Sequence, residues 1–208
     1  MSRRSDMGYS VTASQDGCYP GSTVLVNKLG LRDQSALDRA ESVAFAFRSA
    51  EIELKPCIEP FTFDFYRSLH KRLFGDIYEW AGEIRTIDFS KGGTSFYPAR
   101  ELEFLSEAKF RRLQKMSEFR FLPQNVLIDE LTDFYNELNM LHPFREGNGR
   151  TQRLFFTLLL SRLGYNINFA ECDTTALMTA TIYAAQGIRD FLHEFFERII
   201  CGNQEQPF

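Results

Sequence analysis

Nothing in this 208-residue chain is apolar for long enough to span a bilayer: the longest apolar run, LFFTLLL at 154–160, is well short of the ~20 residues a membrane helix needs, and reads as a buried helix. The amino-terminal MSRRSDMGYS carries two arginines with no apolar segment behind them, so it is not a secretory signal. Cysteine is sparse: Cys18, Cys57, Cys172 and Cys201 lie far apart, with neither the close pairs of a zinc site nor the density of a secreted disulfide framework. A reducing compartment fits that usage. There is no basic excess either, since 24 Lys and Arg stand against 28 Asp and Glu. The net charge of -4 and pI near 5.5 offer no broad positive field to nucleic acid or acidic lipid, so the expected partner is a protein, with no nucleic acid and no membrane. Tryptophan occurs once, at Trp80, whereas phenylalanine occurs 21 times, so the core should be rich in Phe. No internal repeat and no second domain are visible.

What is present reads as a mostly helical chain. Residues 1–30 are rich in Ser, Gly and turn formers, the first fifteen or so being expected to be disordered; 31–201 form the domain and 202–208 a short tail. Asp33 suits the N-cap of a first helix with Leu37, Ala40, Ala44 and Phe47 inward. A second helix follows Thr62, with Tyr66, Leu69 and Leu73 inward and Gly75 beyond its end; His70 on it, like His193 near the C-terminus, reads as a packing or surface histidine. IRTIDF at 84–89 alternates as a strand does, and SKGGTSFYP returns from a glycine turn, which predicts a β-hairpin. Helical patterns then cover 101–116, 124–141, 150–163, 174–184 and 189–200, the central pair being the most buried.

The chemistry concentrates in one stretch, LHPFREGNGRTQR at 141–153. Leu127, Leu131, Phe134, Leu138 and Leu141 recur at helical spacing, so an amphipathic helix delivers His142 at its C-terminal end, where Pro143 stops it. A second helix then starts near Arg150, which leaves Gly147, Asn148 and Gly149 at its N-terminus with unsatisfied N–H groups and the positive end of the helix dipole. Glycines there allow the backbone to approach phosphate oxygens closely. Arg150 and Arg153 are one helical turn apart, about the reach of successive phosphates of a nucleotide. Glu146 has the chemistry of a Mg²⁺ ligand, a hard cation commonly bound by one carboxylate plus substrate phosphates. His142 is the side chain suited to accept a proton near neutral pH. Taken singly, a histidine before proline is usually a cap and Gly-Asn-Gly a tight turn; it is their joint placement between two helices that points to a site.

HPFREGNGRTQR resembles the signature of the Fic (filamentation induced by cAMP) family, and CYPGSTVLVNKLGLRD upstream resembles the lead-in of its stand-alone toxins and some effectors. The resemblance implies an all-α fold, a helical bundle with a β-hairpin flap over the active site, and transfer of AMP from Mg-ATP to a protein hydroxyl on Tyr, Ser or Thr. It implies His142 as base, Phe144 as anchor of the loop, Glu146 on Mg²⁺, Gly147 to Gly149 around the phosphates, and Arg150 and Arg153 toward the β and γ phosphates. On the flap, Lys91, Gly92, Phe96 and Pro98 match the family, Lys91 and Gly92 also bordering the nucleotide. A phosphorylating relative has lost the GNG pattern, so the intact turn argues for AMP transfer over phosphorylation; UMP or phosphocholine transfer on the same scaffold stays open, because the signature reads phosphates and not the nucleobase, and a catalytically silent peptide-binding module would be expected to carry a damaged signature. The link at Gln186 and Gly187 faces the adenine end in the family, near Tyr183, for which core packing is also open.

The resemblance further implies a bacterial, cytoplasmic toxin modifying the B subunits of gyrase or topoisomerase IV. Fic proteins are restrained by a helix reading Ser or Thr, three residues, Glu, then Gly or Asn. Here only Ser49 has Glu four positions on, at Glu53, and Leu54 follows it. The expectation is therefore a separate small antitoxin whose Glu pairs with Arg153.

Overall fold

Local capping explains where the first helices begin. Asp33 accepts a hydrogen bond from the Ala36 N–H at 2.8 Å and starts α1 (Gln34–Glu53); Thr62 accepts one from Phe65 N–H at 3.1 Å and starts α2 (Phe63–Phe74). Each such cap is worth ~1 kcal/mol. The structure is a computed structural model that describes residues 16–202, apart from positions 56, 89, 92, 93, 166, 168, 170, 171 and 173. Within it follow α3 (Leu102–Lys115), α4 (Gln124–Leu141), α5 (Asn148–Arg162), α6 (Thr174–Ala185) and α7 (Asp190–Gly202). The fold is all-α, with a short antiparallel hairpin of β1 (Ser90–Lys91) and β2 (Thr94–Ser95) as the flap, in the register Ser90 to Ser95 and Lys91 to Thr94.

The core is built on phenylalanine, as the composition predicts. Phe155 of α5 meets Phe61, Tyr66 and Phe110 edge-on with ring centroids 5.2, 5.3 and 5.7 Å apart, an arrangement worth ~0.5–1.5 kcal/mol per pair beyond the area buried. α4 packs against α3, α5, α6 and α7, and α2 against α1, α3 and α5, so the two halves of the signature sit between these layers. A second fixed point is the corner at 117–119. Its three residues have φ of 53, 54 and 67°, and Glu118 holds them there by accepting from Phe61 N–H, Gln114, Arg120 and Arg162.

Three expectations change. Phe47 is 66% exposed, not inward; α1 instead buries Leu37, Glu41 and Ile52, and Phe47 lies about 240° around the helix from Glu41. Glu41 decides that face, because its carboxylate is bound by Tyr78 and Arg150 inside the protein. The strand expected at 84–89 is not one: Arg85 sends its N–H to the Pro143 carbonyl at 2.8 Å, and pairing begins only at Ser90, with Phe89 outside the described residues. α5 also starts at Asn148, two residues before its expected start, so Asn148 and Gly149 belong to its first turn. In the lead-in, Val24 and Leu25 are buried and Lys28 N–H bonds the Ile77 carbonyl at 2.8 Å; the expected disorder of the first fifteen residues lies outside the described residues.

Candidate active site

Because Pro143 cannot continue the helix, α4 ends on His142 in the left-handed conformation, φ 41° and ψ 57°. That geometry costs a residue with a β-carbon ~1–2 kcal/mol, so the surroundings must hold it. His142 N–H donates to the Leu138 carbonyl at 3.2 Å, and its Nδ1 lies 3.3 Å from the Asn139 carbonyl. A carbonyl only accepts, so Nδ1 carries the proton and Nε2 is the basic nitrogen of the neutral ring. The Phe96 ring, from the flap, stacks on the imidazole with centroids 3.9 Å apart.

Behind the loop the geometry is closed. His70, fully buried on α2, accepts from Gly82 N–H through Nδ1 at 2.8 Å, so its Nε2–H donates to the Glu146 carbonyl at 2.9 Å. Its ring stacks on Phe144 at 3.8 Å. Burial lowers its pKa to about 4, against the pull of the Glu146 carbonyl, so it is neutral at physiological pH. Asn148 clips the loop from the other end: its Oδ1 accepts from Phe144 N–H at 2.8 Å and its Nδ2 donates to the Phe144 carbonyl at 2.7 Å. Gly147 has φ 79°, and a β-carbon there would meet the Phe74 ring at 2.5 Å. The glycine is therefore needed for packing behind the loop. A β-carbon at Gly149 would touch only Arg153 Nη1, at 3.4 Å, so its lack of a side chain leaves open space in front.

That space is a cavity of about 370 Å³ which brings together Phe96, His142, Glu146, Asn148, Gly149 and Arg153. Thr94 of the flap and Asn139, Tyr135 and Gln152 of the central helices complete its base. The far wall comes from α6, with Leu177, Met178, Thr181 and Ile182, a surface more apolar than the signature side. Glu146 Oε1 accepts from Gly147 N–H at 2.9 Å and lies 3.5 Å from Arg150. Among the described residues no three His, Cys, Asp or Glu group as a metal cluster, but one cavity-lining carboxylate matches the single protein ligand that Mg²⁺ takes beside phosphate oxygens.

Arg150 departs from expectation. It does not line the cavity; its guanidinium pairs with the buried Glu41 and lies 4.7 Å from the centre of the Phe74 ring. Residues three apart on a helix diverge by about 60°, and the buried carboxylate takes the inner one. Arg153 reaches the cavity and makes no ion pair among the described residues. Lys91 is placed by backbone pairing with Thr94, Pro98 precedes the turn at 99–101, and Gly92 lies outside the described residues. Tyr183 does not line the cavity and packs against the tilted Phe191 ring, with centroids 4.9 Å apart.

Two contributors escaped the sequence reading. His70 had a signal, since it continues the inward row of Tyr66, Leu69 and Leu73. Arg85 had none: its side chain is completely buried and donates to the carbonyls of His142, Ile87 and Tyr97 at 2.8, 2.5 and 2.6 Å.

Residues 60–160 match the model of the Fic/DOC family. The chain is 31% identical to "Probable protein adenylyltransferase Fic" of Escherichia coli over 182 residues, covering 88% of this chain and 90% of that protein. It is 34% identical to "Protein adenylyltransferase VbhT" of Bartonella schoenbuchensis over 179 residues, which are 86% of this chain but only 37% of that longer protein. Among solved structures, the N-terminal Fic domain of a Bartonella quintana effector with bound ADP superimposes with a TM-score of 0.82 at 25% identity, over 90% of this chain and 95% of that one. With its signature loop intact between α4 and α5 and a near full-length relative above 30% identity, the chain belongs to the Fic/DOC family.

Proposed function

We propose that this chain is a protein adenylyltransferase, a nucleotidyltransferase that moves AMP from ATP to a hydroxyl side chain of another protein. The observation that carries the reading is the juxtaposition, in one cavity, of the His142 ring, the N-terminal turn of α5 and Arg153. The names of the E. coli and B. schoenbuchensis relatives and the ADP held by the B. quintana domain support it.

In this mechanism the phosphates lie against the N–H groups and positive dipole end of α5, with Arg153 as the balancing cation. The apolar α6 wall at Leu177, Met178 and Ile182 suits a nucleobase face. The target hydroxyl gives its proton to His142 Nε2, its oxygen bonds the α-phosphorus in line, and the bond to the leaving pyrophosphate breaks. Glu146 would hold Mg²⁺, which supplies charge neutralisation on the phosphates. Arg150 acts from behind the loop, as the partner of Glu41 and Glu146. An extended target segment pairs with the flap edge near Lys91, while Phe96 and Pro98 border the modified residue.

Incubation with labelled ATP and a bacterial lysate, read by intact-protein mass spectrometry, tests this reading. A protein gaining the mass of AMP is the expected result; gain of UMP or phosphocholine would move the assignment to another transfer on the same scaffold, and no modification of any protein would sink it.

The finer reading is a cytoplasmic toxin, active where ATP is available, that modifies the B subunit of gyrase or topoisomerase IV; the resemblance of the lead-in supports it. Restraint would come from a small antitoxin placing a glutamate against Arg153. Within this chain Ser49 and Glu53 end α1, and Glu53 makes no ion pair with Arg153. Expression of the chain alone should arrest growth; dormancy relieved by Glu53→Gly would place the inhibitor in cis.

A further inference from the structure

Arg85, a buried residue, touches both the signature loop and the two arms of the flap. Its Nε–H donates to the His142 carbonyl at 2.8 Å, its Nη1 to Ile87 at 2.5 Å just before β1, and its Nη2 to Tyr97 at 2.6 Å just after β2. The same Nη2 lies 3.4 Å from the Leu141 carbonyl. Two carbonyls at the end of α4, otherwise without helical partners, thus face a cation at the negative end of the helix dipole. We propose that Arg85 is a positioning residue that registers the flap against His142, so that the segment docking the target and the group accepting its proton move as one piece.

Three further contacts close the same clamp. Arg85 N–H donates to Pro143 at 2.8 Å, Tyr97 N–H donates to Met140 at 3.1 Å, and the Phe96 ring lies on the imidazole at 3.9 Å. His142 sits in a strained left-handed conformation, and the guanidinium binds the carbonyl of that very residue. Only a planar fork of several N–H groups can reach carbonyls in three directions; a lysine ammonium presents all its donors on one atom. Among the described residues the carboxylate that Arg85 meets, Asp88, is 4.0 Å away and largely exposed, whereas the backbone carbonyls bind the guanidinium at hydrogen-bond distance. The inference rests on His142 being the base, and its consequence is kinetic: displacement of a reacting group by ~1 Å can cost ~10²-fold in rate.

The test is Arg85→Lys, which keeps the charge and loses the fork, beside the parent and Phe96→Ala. With only three histidines, at 70, 142 and 193, the ring protons are readily resolved by NMR. In the parent, stacking on Phe96 should shift the His142 ring protons upfield; Phe96→Ala gives the unstacked reference. Arg85→Lys should move His142 to that reference while His70 keeps its buried signature. Transfer to a protein target should fall roughly tenfold or more in kcat with KM for the target raised, and ATP affinity should stay within about twofold. An unmoved His142 signal with parental transfer would overturn the proposal. So would loss of the His70 signature together with thermal stability, which would make Arg85 a purely structural residue. If the parent transfers no AMP at all, the enzymatic reading fails, and the His142 ring shift still decides whether Arg85 sets the register.

Discussion

His70 and His142 stand on opposite sides of the same short loop, and the contrast between them shows how the loop is built. On the inner side, both His70 ring nitrogens are committed, one to Gly82 N–H and one to the Glu146 carbonyl, with the Phe144 and Phe74 rings packed against the imidazole. On the outer side, His142 has its Nδ1 at a carbonyl and its ring in the cavity, beside Glu146 and Arg153. The inner face is buried and hydrogen-bonded, which holds the backbone in place; the outer face can then present polar groups to a ligand with little reorganisation. One loop thus has a packed face and a cavity-lining face, and substitutions should separate effects on stability from effects on the proposed transfer.

The largest separation is expected at His142 itself. His142→Ala should lower AMP transfer by ~10²–10⁴-fold while leaving ATP affinity and the unfolding midpoint near parental values. His70→Ala should do the reverse, losing stability first; comparable thermal losses in both variants would erase the division between the faces.

Acid should expose the inner histidine next. His70 has its pKa lowered to about 4 by burial, against an unfolded value of about 6.5, so the native state binds fewer protons than the unfolded chain between those values. Its stabilising neutrality is complete above pH ~6.5 and is lost as pH falls toward 4, by up to ~3 kcal/mol. Denaturant midpoints between pH 7 and 4 measure this, and His70→Gln should flatten the dependence; an unchanged slope would remove His70 from it.

At Glu146, the outer face makes a narrower prediction. Chelation of divalent metal and Glu146→Gln should each lower transfer by about 10²-fold, and the two together no further, because both remove the same charge stabilisation. Multiplying losses in single-turnover assays would show a metal-independent role for the carboxylate.

The two glycines sharpen the comparison at the smallest scale. Gly147→Ala should destabilise by ~1–3 kcal/mol, since its φ is 79° and its new methyl meets the Phe74 ring, whereas Gly149→Ala should leave stability within about 0.5 kcal/mol and weaken ATP binding. Paired melting and ATP-titration curves distinguish them; equal melting losses would mean that both glycines serve packing.

The helices, their caps at Asp33 and Thr62, the Phe-rich core and the position of the signature loop were legible in the chain, because each depends on residues a few positions apart. So were His142, Glu146 and Arg153, which a single helix-loop-helix carries into one cavity. What the chain determines by itself is therefore periodic and local: spacing sets the faces, proline and glycine set the ends, and the order of residues sets the chemistry of the loop. The orientation of Arg150 depended on Glu41, 109 positions away, and the same distant carboxylate turned Phe47 outward. Arg85 acquired its meaning only when α4 placed the His142 carbonyl, 57 positions along, above it. Such pairings between buried polar groups were decided by the tertiary structure alone, because which charge finds which partner depends on the packing that brings them out of water.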